Sequence, residues 1–108
     1  MNSETGSAPA MPVVALTEDE IGRELASVPA WRREGDRLVR EFAFANFDRT
    51  MAFVNAVAWV AHAEDHHPDL LVSYGRCRVE YSTHDCNGLS PRDFNCARQL
   101  DQLYARSA

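Results

Sequence analysis

A chain of 108 residues and 12.1 kDa has room for one hydrophobic core, which excludes an enzyme built from separate cofactor and substrate domains. Hydrophobic residues make up 45% and charged residues 25%, the balance of an ordinary globular protein, so neither a disordered chain nor a collagen-like repeat fits. Sixteen acidic against eleven basic side chains leave a formal charge of -5, which opposes non-specific nucleic-acid binding and supplies no polybasic patch for a membrane surface.

Met1–Pro12 has neither the basic start nor the apolar run of an export signal. Its Ser, Gly, Pro and Ala content predicts a disordered tail ahead of a single domain over 13–108, with Met11 as an alternative start. Thr17 and Glu20 form a capping box, and Ile21, Leu25 and Val28 then recur at helical spacing until Pro29 ends a first helix. Gly35-Asp36 supplies the turn of a hairpin with Trp31 on its first arm. On the second arm, Leu38 to Phe44, one side carries Leu38, Phe42 and Phe44 and the other Val39 and Glu41. Asp48 is placed to cap the next helix, in which Met51, Phe53, Val54, Val57, Trp59 and Val60 point almost all round the axis. Its apolar run Met51–Ala61 is interrupted by Asn55 and falls well short of the roughly 20 residues a bilayer span takes. A domain this small cannot surround such a helix, so one face is expected on the sheet and another on a second copy of the chain.

Pro68 closes the helical region. Leu70–Tyr74 and Cys77–Ser82 read as strands around Gly75, with Cys77, Val79 and Tyr81 alternating against Arg78, Glu80 and Ser82. After the polar segment Thr83–Leu89, Ser90-Pro91 starts a last helix lined by Phe94, Ala97, Leu100 and Tyr104. The order αββαββα predicts the α+β class: a four-stranded, mainly antiparallel sheet with three helices packed on one face. No Gly-rich phosphate loop or dinucleotide fingerprint is present. Cys77, Cys86 and Cys96 are odd in number and contain no C-x-x-C pair, so neither a disulfide framework nor a thiolate zinc site is indicated, and a reducing cytoplasm is the expected location.

All four histidines fall between His62 and His84. An unperturbed imidazole titrates near ~6.5, so neighbouring ones serve as acid and base at neutral pH without large tuning. His66-His67 stands where the helix stops, and His84 follows the last strand, so two elements can converge on one cleft. Taken singly, each residue has a plainer account. The pair suits a helix C-terminus, worth about 0.3–1 kcal/mol; His84 and Cys86 suit a loop, and His62 a solvated helix surface. Asp93, third in the last helix after Ser90, caps its N-terminus. His62 and His66 are spaced i, i+4 and with His84 would offer three nitrogens to zinc. The run His62-Ala63-Glu64-Asp65-His66 is not H-E-x-x-H, however, and acid–base work ranks above metal chemistry.

Taken together, His62-x3-His66-His67-Pro68-x5-Tyr74-x9-His84-x8-Asp93 resembles the signature of the pterin-4a-carbinolamine dehydratases. Trp31, Phe42-x-Phe44, Ala61 and Ser82-Thr83-His84-Asp85-Cys86-Asn87-Gly88-Leu89-Ser90 extend the likeness from about Leu16 to Tyr104. The resemblance implies a lyase that removes water from 4a-hydroxytetrahydropterin to give quinonoid dihydropterin, in tetrahydrobiopterin recycling, with no metal or organic cofactor. It implies that His66 and His84 carry the proton transfers, with His67 in the same pterin pocket. Asp93 would orient a histidine or contact the pterin, and Thr83 and His62 would meet the substrate. His62 stands where family members often carry glutamate, and as an i, i+4 neighbour it is expected to interact with His66. The implied partners are a pterin, an aromatic amino-acid hydroxylase pathway and further copies of the chain in a homodimer or homotetramer. The alternative is a non-catalytic dimerisation-cofactor module of the same fold.

Overall fold

Local chemistry sets where the elements begin. In the computed structural model, which describes residues 13–107, helix α1 (Glu18–Ser27) opens on the expected capping box. Thr17 Oγ1 accepts the Glu20 backbone N–H at 3.2 Å, and the Glu20 carboxylate accepts the Thr17 N–H at 2.8 Å. The tail expected over Met1–Pro12 lies outside the described residues. Strands β1 (Arg32–Glu34) and β2 (Arg37–Ala43) form the first hairpin, turning at Gly35 with φ 60°, a conformation that suits glycine. Trp31 immediately precedes β1 rather than lying within it.

Helix α2 (Phe47–Glu64) begins earlier than the sequence suggested. Asn46, in extended backbone, is its cap and accepts the Arg49 N–H at 2.9 Å, so Asp48 is a first-turn acid facing the helix dipole instead of the cap. Strands β3 (Asp69–Ser73) and β4 (Arg76–Tyr81) follow, then a single 3₁₀ turn (His84–Cys86) and helix α3 (Pro91–Ser107), with proline at its first position. The order is αββαββα, and the four strands pair antiparallel in the spatial order β1-β2-β4-β3. Among the described residues no helix is long and apolar enough to cross a membrane.

The three helices cover one face of the sheet. Leu38, Phe42, Cys77, Val79 and Tyr81 project from β2 and β4 into a core completed by Phe53 and Val57 of α2 and by Phe94, Ala97 and Leu100 of α3. Across this core Arg40 lies over the Phe42 and Tyr104 rings and pairs with Asp101 at 2.5 Å. Asp101 also accepts the Trp31 indole N–H at 2.8 Å, which ties the start of β1 to α3.

The opposite face of the sheet is held by charge. Arg78 pairs with Glu34, Glu41 and Glu80, Arg37 with Glu80 and Asp69, and Arg32 with Glu34. Single exposed pairs contribute about 0–1 kcal/mol, but shared partners across four strands make a network. Val39, flanked in register by Arg32 and Glu80, is fully buried on this face. At the β3–β4 turn, Gly75 accepts the Phe44 N–H at 2.8 Å, and a Cβ on Gly75 would sit 2.9 Å from the Phe44 carbonyl oxygen. Gly75→Ala is therefore expected to lower the stability by about 1–3 kcal/mol, since backbone and not a pliant side chain must give way. An unchanged urea midpoint would show that the turn tolerates the clash.

Candidate active site

Three element ends meet at one point. Helix α2 closes through Asp65 in the left-handed conformation (φ 49°, ψ 45°), with the Asp65 N–H on the His62 carbonyl at 3.3 Å and the His66 N–H on the Ala61 carbonyl at 3.1 Å. This Schellman-type closure leaves His66 as the second residue past the helix and turns it inward, where it is buried. Strand β4 ends at Tyr81, and the chain is pinched two residues later by a bridge between Thr83 and Gly88, with the Thr83 N–H on the Gly88 carbonyl at 3.0 Å. Helix α3 starts at Pro91 and carries Asp93, fully buried, in its first turn.

The Asp93 carboxyl gathers these ends. Its Oδ2 accepts the Ser90 backbone N–H at 2.9 Å and the Thr83 hydroxyl at 2.8 Å, and its Oδ1 lies 2.6 Å from His66 Nε2. Thr83 spends its one proton on Asp93, so in the 2.7 Å contact between Thr83 Oγ1 and Ser90 Oγ the serine donates. With Asp93 accepting on both oxygens, the network places the His66 proton on Nε2. His66 Nδ1 has no partner among the described residues, yet Tyr81 Oη is the one buried side-chain atom there left without one. Nδ1 therefore opens to solvent in the cleft that His66 lines. The His66 ring also lies nearly parallel to Tyr81, with centroids 5.6 Å apart and 10° between planes.

His66 forms the back of a cleft of about 220 Å³ whose walls include His67, Thr83 and His84, with Asp65, Asp85, Ser82 and Arg92 around them. His67 and His84 are exposed at its mouth. A second hollow, also about 220 Å³, shares Ser82, Thr83 and His84 and runs toward Asp36 and Arg37 of the first hairpin. The structure thus brings together His66, His67, His84 and Thr83, and sets Asp93 behind His66, where it touches the imidazole and not the open cleft.

His62 stands apart. Because α2 ends at Glu64, His66 lies beyond the helix, and the helical i, i+4 geometry expected between the two does not apply. His62 instead lies on the outer surface of α2 beside Trp59, their rings edge-on at 6.1 Å, and lines a different hollow with Asn55 and Ala58. Among the described residues no group of three or more His, Cys, Asp or Glu side chains gathers as a metal site. Cys86 turns its thiol toward the Thr83 and Gly88 carbonyls, within its own loop and not onto His84. Sequence reasoning missed Ser90 and Tyr81 as members of the site. Ser90 had been visible as a helix start and as the end of the stretch that carries the family likeness, with no role assigned, and Tyr81 only as one residue of an alternating strand.

Fold and site define a small α+β protein with a polar, histidine-walled cleft in which one imidazole is braced by a buried carboxyl. The sequence pattern of the family described as pterin 4 alpha carbinolamine dehydratase matches residues 14–103. A Nitrosospira multiformis protein named "Putative pterin-4-alpha-carbinolamine dehydratase" is 48% identical over 89 residues, covering 82% of this chain and 79% of its own. The crystal structure of a transcriptional coactivator/pterin dehydratase from Brucella melitensis superimposes with a TM-score of 0.81 at 29% identity, covering 83% of this chain and 98% of the other. A pterin dehydratase-like protein identified as a RuBisCO assembly factor in the alpha-carboxysome shares the fold, with a TM-score of 0.59 at 20% identity over 68% of this chain and 86% of its own. The chain belongs to the pterin-4a-carbinolamine dehydratase family.

The site makes one stability prediction that needs no substrate. In Asp93→Asn the amide oxygen can still accept from Ser90 and Thr83, but the NH2 then faces His66 Nε2, so the imidazole must shift its proton to Nδ1 and the charge-assisted contact is lost. A loss of about 1–3 kcal/mol is expected by urea unfolding. A variant as stable as wild type would mean that the carboxyl is not the organiser of these three ends.

Proposed function

We propose that this chain dehydrates 4a-hydroxytetrahydropterins to quinonoid dihydropterins, in the recycling of a tetrahydrobiopterin-type cofactor in a reducing cytoplasm. The C4a–O bond breaks with its electron pair on oxygen, which takes a proton and leaves as water, while N5 forms the double bond to C4a and gives up its proton. The reaction needs an acid beside the departing oxygen and a base beside N5, and no electrons are exchanged with a third party.

The observation that carries the reading is the His66 imidazole, held by Asp93 at 2.6 Å with its other nitrogen free in a cleft that His84 and His67 also enter. A carboxyl partner on Nε2 stabilises the imidazolium that forms when Nδ1 takes a proton, so His66 is the base for N5. His84, exposed at the mouth and reprotonated from water, is the acid for the leaving oxygen, and His67 and Thr83 line the pterin pocket. Asp93 acts through His66 and does not meet the pterin, and His62 lies outside the pocket. These assignments draw no metal or organic cofactor into the reaction.

The test is dehydration of 4a-hydroxytetrahydropterin by purified protein in the presence of EDTA. Wild type is expected to accelerate it, and His66→Ala and His84→Ala to lose about 10²–10⁴-fold with the far-UV spectrum preserved. No acceleration by the folded wild type would overturn the reading. It would promote a binding role without turnover, for which the exposed outer face of α2 is the candidate surface.

That face also supports the proposal that the chain works as a homodimer or homotetramer. Trp59 is 73% exposed there, next to a hollow of about 410 Å³ lined with Asn55, Ala58 and His62, where a second copy of the chain could cover the ring. Sedimentation equilibrium is expected to give two or four chain masses for wild type and a lower mass for Trp59→Glu. A monomeric wild type would remove the proposal.

A further inference from the structure

The mechanism uses one nitrogen of His66 and explains the other, but neither fact fixes the plane of the ring. The Cβ bond and the Nε2 contact to Asp93 define a line through the imidazole, and the ring can still tilt about that line and carry Nδ1 with it. The contact that removes this freedom comes from Tyr81, whose ring lies 10° from parallel at a centroid distance of 5.6 Å, an offset stack.

We propose that Tyr81 is a positioning residue for the reaction, its buried ring setting the plane of the His66 imidazole and with it the direction of Nδ1. The inference rests on the dehydratase reading for its kinetic consequence, though not for its geometry. Tyr81 is itself immobilised. It is the last residue of β4, paired in register with Leu38, and is fully buried. The Trp31 ring lies 6.1 Å away at 41°, and Trp31 is tied through its indole N–H to Asp101, which Arg40 also grips. The plane of a cleft imidazole is thereby referred back to the sheet and to α3.

The Tyr81 hydroxyl sharpens the argument. Among the described residues it makes no hydrogen bond in its buried place, and its polar neighbour is the Cys96 thiol, a weak partner at best. Burial pushes the phenol far above its ordinary range, with the Cys96 thiol and the Asp93 and Glu64 carboxyls pushing the same way. Cys96 is likewise pushed up to about 11 by burial. Tyr81 therefore offers His66 neither a charge nor a proton, only a ring face. The ring should matter and the oxygen should not.

Tyr81→Leu removes the ring, Tyr81→Met fills its space with a flexible chain should the leucine variant fold poorly, and Tyr81→Phe removes only the oxygen. Two readouts are taken on folded protein: steady-state kinetics, and the low-field proton NMR signal of the His66–Asp93 hydrogen bond, assigned by its loss in Asp93→Asn. Misdirecting a reacting group by about 1 Å can cost 10²-fold, so kcat should fall about 10–100-fold in the leucine or methionine variant, with KM changed less than twofold. The low-field signal should broaden or vanish. Tyr81→Phe should restore both readouts to within twofold of wild type, which a general loss of packing would not produce. Retention of the signal and of kcat in either ringless variant would overturn the proposal, as would equal losses in all three. The signal is read with or without turnover, so an inactive wild type would sink the dehydratase reading while the NMR series still decides for or against Tyr81.

Discussion

The constraint on which the site depends is the burial of the Asp93 carboxyl. A carboxyl sealed from water is costly unless its lone pairs are met, and this one is met from three directions. Each donor demands something of the backbone that brings it. The Ser90 N–H is available because α3 begins at the next residue with a proline. The Thr83 hydroxyl arrives because the chain leaving β4 is pinched against Gly88. His66 arrives because α2 stops in a left-handed residue and folds back. Removing the carboxyl would leave three element ends with no common reason to converge.

The two surfaces of the sheet solve burial in opposite ways. Under the helices, apolar side chains and aromatic rings fill the space. On the open face, arginine and glutamate alternate across strands and share partners, and this lattice leaves Val39 with no exposure at all. Val39 broke the simple alternation in the sequence, which put it on the polar side with Glu41. The side is the one observed, and the full burial of Val39 there comes from cross-strand pairs that a single strand does not reveal.

The same distinction explains what was legible in the sequence and what was not. Element order and sheet class followed from signals that act over three or four residues: Thr17 with Glu20, the turn at Gly35, Pro68, and Ser90-Pro91. The cap of α2 was misplaced by two residues because Asn46 and Asp48 are both good caps and only the backbone entering the helix chooses between them. His62 was tied to His66 by counting i, i+4 along a helix that ends between them. The pattern of histidines announced the cleft and the family likeness offered Asp93 as a residue that orients a histidine, but which histidine it grips and what stands behind the cleft were written in distant pairs: His66 with Asp93, Trp31 with Asp101, Arg40 with Asp101. Spacing within one segment carries no information about partners 27 to 70 positions away.

Asp93 shows why the plain and the functional accounts of a residue need not compete. As the third residue of α3 it caps the helix, accepting the Ser90 N–H as an acid in that position should. That duty occupies Oδ2, which it shares with Thr83, and leaves Oδ1 pointing at His66. The cap fixes the carboxyl in space without using up its capacity to accept, and so makes it a rigid reference for the imidazole. A longer, uncapped acid at this place could reach His66 but would not hold still, and a cap with a single acceptor could hold still but would have nothing left to offer. A short acid at the third position of a helix that starts beside a histidine does both, and the orientation of His66 therefore follows from the way α3 begins.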